Sequence, residues 1–185
     1  MEFVPNKRVD KFEKIQMRVF PNEGGISNHK NDYGGLTNHG ITIRTFEEYA
    51  ETDLGMLPTE SNLKKLTKEQ ASVLYKKRFW EPLRVDEINS ISISYILYDF
   101  YVNSTKNAVR IMQQSLNSLG ANLTVDNVMG SKTIKAINEA DSRKLFDAYH
   151  QNRIDYYMQV VKEDPSQKVF LKGWIERVNR IKFEG

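Results

Sequence analysis

The sequence predicts a mainly α-helical protein with a glycine-rich loop or small hairpin region after its first helix. Apolar residues recur at helical spacing through most of the 185 residues, and capping residues, glycines and prolines delimit the segments. By contrast, residues 21–42 contain five of the ten glycines and four asparagines, and they include no apolar run. Such a composition is typical of loops and tight turns, so one irregular region is expected near the start of a helical chain.

The first two helices are predicted from apolar spacing and terminal signals. Apolar residues at helical spacing lie within residues 9–20, and Pro21 ends this first helix. After the glycine-rich region, Thr45 and Glu48 have the spacing of a capping box, in which each side chain bonds the backbone N–H of the other residue. Gly55 is expected to end the helix that this box begins.

A second capping box and a long apolar run predict the middle of the chain. Thr67 and Gln70 begin a helix that Pro82 closes. Residues 90–103 start with a strand-like alternation but continue as an almost unbroken apolar run without turn residues, which favours a buried helix. Further helices are predicted at about residues 106–119, 131–140, 143–162 and 167–182.

Composition excludes several classes of protein. The chain has no cysteine, which excludes disulfides, thiolate metal sites and a cysteine nucleophile. Its 27 basic and 24 acidic residues give a net charge of +3, which is too small to predict nucleic-acid binding, although a pI near 8.9 suits an anionic polymer. No segment resembles a signal peptide or a membrane span, so synthesis in the cytoplasm without a signal peptide is expected.

The glycine-rich region is where the chemistry is expected. It carries Glu23 just after the first helix and Asp32 nine residues later in a polar setting. Partial shielding by the core would raise the pKa of Glu23 and keep it protonated as a general acid, whereas Asp32 would stay ionised. Two carboxyl groups in unlike environments are what glycoside hydrolysis requires. The structural alternative is a solvated loop carboxylate at Glu23 and a turn acceptor at Asp32.

Several motifs of the chain resemble those of one enzyme family. Residues 23–25, EGG, and residues 32–42, DYGGLTNHGIT, are similar to the E-G-G and D-x-G-G-x-T-x-x-G-I-T signature of glycoside hydrolase family 108. Residues 75–80 resemble the Y-x-x-x-[YF]-W element of that family, and residues 99–104 resemble its D-x-x-x-N-S segment. From Ala108 the chain resembles the predicted peptidoglycan-binding domain that follows in the family.

The resemblance covers about residues 9–175 and implies a lysozyme-like helical fold. Members of the family are lysozyme-like N-acetylmuramidases of phage lysins and of bacterial proteins labelled secretion activators. The expected organisation is a lysozyme-like catalytic region over residues 1–104 and a helical peptidoglycan-binding-like region over residues 105–185, packed against it.

Carried over position by position, the resemblance makes Glu23 the catalytic acid. Asp32 falls on the aspartate of the signature and would stabilise the positive charge that develops on the sugar. Thr37 or Thr42 falls in the region where phage lysozymes position water or a sugar group. Of these two, Thr37 is taken as the catalytic candidate, and Thr42 joins His39 as a substrate-binding candidate.

Two further substrate-binding candidates lie outside the glycine-rich region. Trp80 could line a sugar cleft because aromatic faces pack on pyranose rings, although its spacing with Phe79 also fits a place in the core. Asn103 could donate a hydrogen bond into the cleft or cap a helix C-terminus. The three histidines lack the spacing of a metal-binding helix pair, so neither a metal nor a cofactor is expected.

These observations predict an N-acetylmuramidase, a peptidoglycan hydrolase that cleaves the β-1,4 bond between N-acetylmuramic acid and N-acetylglucosamine. The expected partners are peptidoglycan glycan strands and not nucleic acid, and the chain is expected to be a monomer that acts at the cell wall or periplasm after release by another route. One alternative is a lytic transglycosylase, in which Glu23 acts as acid and then as base and leaves a 1,6-anhydro end. The other is a non-catalytic protein that binds the cell wall or assists secretion.

Overall fold

The computed structural model describes residues 10–20, 26–27 and 36–185. Backbone contacts divide the chain into two compact units, the first ending at Glu81 and the second spanning Pro82–Gly185. Both units are built mainly from helices, which confirms the predicted fold class. None of the described helices is both long enough and apolar enough to cross a lipid bilayer.

The first unit contains four helices and three short strands in its described part. These elements are α1 (Lys11–Val19), β1 (Ile26–Ser27), β2 (Thr37–Asn38), β3 (Ile41–Thr42), α2 (Ile43–Leu54), α3 (Glu60–Lys64), α4 (Lys68–Tyr75) and a π-helical turn (Lys76–Trp80). The strands form an antiparallel sheet in the order β1-β2-β3. The hairpin region predicted after the first helix is therefore present.

Helix α1 is amphipathic and capped at its start. Its buried residues Phe12, Ile15 and Val19 recur at intervals of three and four, so they share one face of the helix. The Asp10 carboxylate accepts a 2.7 Å hydrogen bond from the backbone N–H of Glu13, which satisfies one of the unpaired donors of the first turn. This face gives α1 its place in the core of the first unit.

Helix α2 begins earlier than the sequence predicts. Its N-cap is Thr42, whose Oγ1 accepts a 3.2 Å hydrogen bond from the backbone N–H of Thr45. The predicted capping box of Thr45 and Glu48 is therefore wrong, because strand β3 leads into the helix without a loop and Thr45 already lies in the first turn. The predicted end is confirmed, since Gly55 adopts the left-handed conformation with φ 63°.

The second predicted capping box is confirmed at α4. The Gln70 backbone N–H donates to Thr67 Oγ1 at 3.2 Å, and the Thr67 N–H donates to Gln70 Oε1 at 3.0 Å. The helix ends at Tyr75 and continues as the π-helical turn up to Trp80. In this capping box, each of the two side chains thus accepts a hydrogen bond from the other residue's backbone N–H, which has no partner within the helix.

The second unit contains five helices, and its longest connection, residues 119–130, joins α6 to α7. Its elements are a 3-10 turn (Val85–Glu87), α5 (Ile91–Asn103), α6 (Thr105–Ser118), α7 (Ser131–Glu139), α8 (Ser142–Glu163), a 3-10 turn (Pro165–Gln167) and α9 (Lys168–Arg180). Each helix predicted in this part of the chain is present, with ends that lie at most two residues from the expected positions.

Helix α5 is the buried helix predicted for residues 90–103. It packs against α6 and α8, and Ser92 and Ser94 are buried with their apolar neighbours. The Ser94 hydroxyl donates a 2.7 Å hydrogen bond to the carbonyl of Ser90, so the serine side chain is satisfied within its own helix. The boundary between the two compact units lies after residue 81, so α5 belongs to the second unit. The sequence predicts a boundary after residue 104.

Candidate active-site hairpin

The structure describes five of the seven predicted site residues. Glu23 and Asp32 lie outside the described residues. Thr37, His39, Thr42 and Trp80 lie in the first unit, and Asn103 lies in the second. The site is therefore described from the hairpin that carries Thr37, His39 and Thr42.

Strands β2 and β3 form a tight hairpin with a two-residue turn. Both turn residues have positive φ, 49° at His39 and 74° at Gly40, as a type I′ turn requires. The register pairs Thr37 with Thr42 and Asn38 with Ile41. Directly opposed residues share a face, so the two threonines lie side by side, half-buried, while Asn38 and Ile41 occupy the buried face.

The buried Asn38 side chain fixes the hairpin to the end of α3. Its amide nitrogen, Nδ2, donates toward the carbonyl oxygens of Leu63 at 2.8 Å, Lys64 at 3.2 Å and Leu66 at 3.3 Å. Leu63 and Lys64 are the last two residues of α3, and Leu66 follows the helix by two residues. Asn38 is not among the site residues that the sequence predicts.

Tyr75 and Gly40 fix the turn of the hairpin. The Tyr75 hydroxyl donates a 3.2 Å hydrogen bond to the His39 carbonyl, and its ring lies 4.4 Å from the ring of Phe20 between centroids. A Cβ atom on Gly40 would lie 2.5 Å from Tyr75 Oη and 3.0 Å from the Phe20 ring. Glycine is required here both by the positive φ and by the close approach of these two side chains.

These contacts bring three parts of the first unit together. They are Phe20, which follows α1, Tyr75, which ends α4, and Gly40 in the hairpin turn. A local signal for the turn exists in the sequence, because Asn38-His39-Gly40 between Thr37 and Ile41 has the composition of a hairpin turn. No local signal identifies the partner, since Tyr75 lies 36 residues from His39 along the chain.

Thr42 has a structural contact that bears on its predicted role. Its Oγ1 caps α2 and lies 3.0 Å from Thr45 Oγ1. The hydroxyl group is therefore engaged at the start of the helix, whereas Thr37 lies in strand β2 and starts no helix. The two threonines differ in their structural task although they share a face.

A cavity of about 660 Å³ lies between α1 and α4 and extends to His39. Its lining is mixed, with Met17 and Phe20 beside charged residues that include Glu69. The pKa of Glu69 is lowered by its own backbone N–H and by the Thr67 hydroxyl, both of which donate to the carboxylate. Glu69 is thus held in its ionised form, which does not suit a proton donor.

Trp80 lies in the core. This is the alternative position that its spacing with Phe79 in the sequence also allows. Its side chain is fully buried, and its ring meets the ring of Phe12 edge-on at 5.2 Å between centroids. A fully buried ring offers no face to a sugar, so the structure does not support Trp80 as a substrate-binding residue.

The remainder of the Tyr75–Trp80 segment supports the same scaffold. Arg78 holds Asp53 through two hydrogen bonds, Nε to Oδ2 at 2.6 Å and Nη2 to Oδ1 at 2.8 Å, and its guanidinium group lies 4.2 Å from the Tyr49 ring. These hydrogen bonds lower the pKa of the nearly buried Asp53 carboxyl. The segment therefore ties α2 to the end of α4.

Asn103 ends α5 in the second unit. Its Nδ2 donates a 2.6 Å hydrogen bond to the carbonyl of Asp99, one turn earlier, and its exposed side chain lines a second cavity of about 430 Å³. The helix-capping contact that the sequence allowed is therefore present, beside a cavity that belongs to this unit.

Comparison with known proteins gives two family matches and several solved structures that resemble the chain. Residues 17–104 match the family described as Glycosyl hydrolase 108, and residues 107–179 match the family described as Predicted Peptidoglycan domain. The structure is similar to that of SagA from Brucella abortus, with 27% identity over 92% of this chain and 90% of that chain and a TM-score of 0.76. No curated protein matches the chain.

Proposed function

We propose that the chain is an N-acetylmuramidase. A segment that matches glycosyl hydrolase 108 is followed by one that matches a predicted peptidoglycan domain, and this pair of matches supports a peptidoglycan-active protein. It cleaves the β-1,4 bond between N-acetylmuramic acid and N-acetylglucosamine at the cell wall. The observation that carries this proposal is the hairpin Thr37–Thr42, which is fixed by α3 and α4 and which ends the stretch containing Glu23 and Asp32.

In this proposal, Glu23 donates a proton to the glycosidic oxygen as the bond from that oxygen to the muramic acid C1 breaks. The N-acetylglucosamine product leaves with a free 4-hydroxyl group, and Asp32 stabilises the positive charge that develops on the muramic acid ring. Water then adds to C1 and its proton returns to a carboxylate, which completes a hydrolysis.

The described residues next to Glu23 support its assignment. Glu23 follows Phe20 by three residues, a length of chain that spans at most roughly 10 Å. Phe20 contacts Tyr75, and Tyr75 bonds the hairpin turn. The carboxyl group of Glu69, which lines the cavity beside the turn, is held ionised and is a poor alternative donor.

Thr37 is the better of the two threonines for contact with water or sugar. The Thr42 hydroxyl already caps α2, so moving it toward a substrate would cost the helix its N-cap. Thr37 lies on the same face of the hairpin, in strand β2, and we propose that it makes this contact. His39, in the turn, reaches the cavity between α1 and α4 and is proposed to contact the glycan there.

Digestion of purified sacculi by the full chain tests the proposed bond. Mass spectrometry of the released muropeptides should show products with a reducing N-acetylmuramic acid end. Products with a 1,6-anhydro end would identify a lytic transglycosylase and contradict the proposal. Sacculi that bind the protein but release no fragments would identify a non-catalytic wall-binding protein and contradict it as well.

A further inference from the structure

The cavity beside Asn103 is lined by aromatic, amide and cationic side chains. It has a volume of about 430 Å³ and lies where α8 and α9 meet the end of α5. Its lining includes Tyr157, Trp174, Arg177 and Arg180, and none of its lining residues is an aspartate or a glutamate. The wall of the cavity is therefore positive.

A buried ion cluster behind this wall carries surplus positive charge. The carboxylate of Asp99, 3% exposed, lies 2.7 Å from Nη2 of the fully buried Arg153 and 2.8 Å from Nη2 of Arg177. Nε of Arg177 also donates to Asp99 Oδ1 at 2.9 Å. One carboxylate faces two guanidinium groups, so it neutralises only half of their charge.

The rings of Phe100 and Tyr157, whose centroids lie 4.6 and 5.7 Å from the guanidinium carbon of Arg153, offset only part of this surplus. Nη1 of Arg153 is buried without a hydrogen-bond partner, and a buried donor left unpaired costs free energy. Arg180 adds a further exposed positive charge at the cavity. An anionic group in the cavity would face Arg177 and Arg180 and would be stabilised by the positive cluster behind them.

Gly173 keeps the cavity open. It lies inside α9 without a positive φ, and a Cβ atom at this position would meet no atom within 4 Å. Neither backbone conformation nor packing requires glycine here, although glycine costs about 1 kcal/mol relative to alanine inside a helix. The missing side chain leaves space in the wall of the cavity, which suits a binding site.

The Trp174 ring of the cavity is already engaged with other aromatic rings. The Trp174 ring stacks with Tyr157 at 5.0 Å and with Phe170 at 5.9 Å, at interplanar angles of 25° and 26°. Trp174 is thus held in place by aromatic contacts, and much of its ring surface is occupied. The exposed guanidinium group of Arg180, rather than an open aromatic face, is the main group available for recognition, because the guanidinium group of Arg177 is bonded to Asp99 through Nε and Nη2.

From these observations we propose that the cavity binds a carboxylate of a peptidoglycan stem peptide. This proposal rests on the proposed peptidoglycan substrate. Stem peptides carry free carboxylates, whereas oligomers of N-acetylglucosamine, which lack a peptide and a lactyl group, are neutral. The planar guanidinium group of Arg180 suits a carboxylate, and the positive charge of Arg177 lies beside it. Val160 and Tyr156 provide an apolar wall for the side chains of a short peptide.

Calorimetric titration with three probes tests the ligand class. The first probe is a soluble disaccharide bearing a tripeptide stem, the second is a chito-oligosaccharide without peptide, and the third is inorganic phosphate. The disaccharide-peptide should bind more tightly than either of the others. Equal or tighter binding of the peptide-free sugar would overturn the proposal, and so would binding of phosphate alone.

Variants of α9 locate the binding. Arg180→Ala should weaken binding of the disaccharide-peptide by about tenfold, the size expected for one lost charge-assisted hydrogen bond. Gly173→Leu, which places a side chain in the cavity, should weaken it at least as much. Lys172→Ala and Lys172→Leu are the matched controls, because Lys172 is exposed on the same helix and does not line the cavity.

Unchanged binding by both cavity variants would overturn the proposed location, and circular dichroism establishes that each variant is folded. The readout is binding of a soluble fragment and requires no bond cleavage. Failure of the muramidase proposal would appear as absent products from sacculi, so the two failures are distinguishable.

Discussion

The Tyr75 hydroxyl donates a 3.2 Å hydrogen bond to the backbone carbonyl of His39. This bond joins the last residue of α4 to the turn of the hairpin that carries Thr37 and Thr42. The Tyr75 ring also contacts Phe20, which lies three residues before Glu23 in the sequence. One side chain therefore links the hairpin to the residue that ends α1.

Replacing Tyr75 with phenylalanine tests this link. Tyr75→Phe retains the ring contact with Phe20 but loses the hydrogen bond to His39, which should lower the free energy of unfolding by about 1 kcal/mol. The rate of sacculus lysis should fall further than this small loss of stability explains, because the hairpin turn loses its hydrogen bond to α4. Tyr49→Phe, in α2, is the control for loss of a hydroxyl. Wild-type lysis by folded Tyr75→Phe would show that the bond does not position the site.

Gly40→Ala should be more damaging than the same change at Gly55. Both glycines have positive φ, but only at Gly40 would the new Cβ lie 2.5 Å from Tyr75 Oη, whereas nothing lies within 4 Å at Gly55. Gly55→Ala should therefore cost only the conformational strain of about 1 kcal/mol, and Gly40→Ala should cost more. Urea unfolding of both variants measures the difference.

The double variant Gly40→Ala/Tyr75→Phe separates crowding from backbone strain. Phenylalanine lacks the oxygen that the new Cβ would approach, so the double variant should be more stable than the sum of the single effects predicts. Strict additivity would mean that the strain of the positive φ alone explains the Gly40 effect.

Asn38→Asp should destabilise the first unit more than Asn38→Ala. The amide nitrogen of Asn38 faces three carbonyl oxygens, and a carboxylate would place an acceptor against these acceptors in a buried position. The expected loss is about 3 kcal/mol or more, since a buried charge would lack a partner. Asn62→Asp is the control, because its more exposed amide donates to a single carbonyl, that of Leu57. A similar shift of Tm in both aspartate variants would contradict this account.

The Asp53–Arg78 pair should make stability fall in acid. Hydrogen bonds from Arg78 lower the pKa of Asp53, so the unfolded chain binds a proton that the folded protein resists. The stabilisation is full above the ordinary carboxyl pKa of about 4 and is lost as the pH falls through the lowered value. Asp53→Asn should cost about 2 kcal/mol at pH 7 and progressively less in acid. Urea unfolding between about pH 2.5 and 7 gives the difference, and a constant difference over this range would contradict the assignment.

Local signals predicted much of the fold. The capping box of Thr67 and Gln70 and the left-handed Gly55 depend on residues within one turn, and both are present. The start of α2 could not be obtained in this way. Whether Thr42 or Thr45 caps the helix depends on where β3 ends, and that is set by pairing with β2. Pairing between strands is a non-local property.

The candidate site was predicted less completely for the same reason. The contacts of Asn38 with α3 and of Tyr75 with His39 join residues 25 to 36 positions apart, and no sequence period signals them. The burial of Trp80 likewise depends on Phe12 in a different helix. Motif resemblance could identify the hairpin, but it could not separate the residues that touch a ligand from those that hold the hairpin.

Sacculus lysis by Glu23→Gln tests the central proposal most directly. The variant and a matched control, Glu47→Gln on the exposed surface of α2, are compared with the unmodified protein by the loss of turbidity of purified sacculi. Glu23→Gln should slow lysis at least about 100-fold with unchanged Tm, because the proton donor is lost, while Glu47→Gln should lyse at the normal rate. Normal lysis by a folded Glu23→Gln variant would contradict the assignment of Glu23 as the catalytic acid.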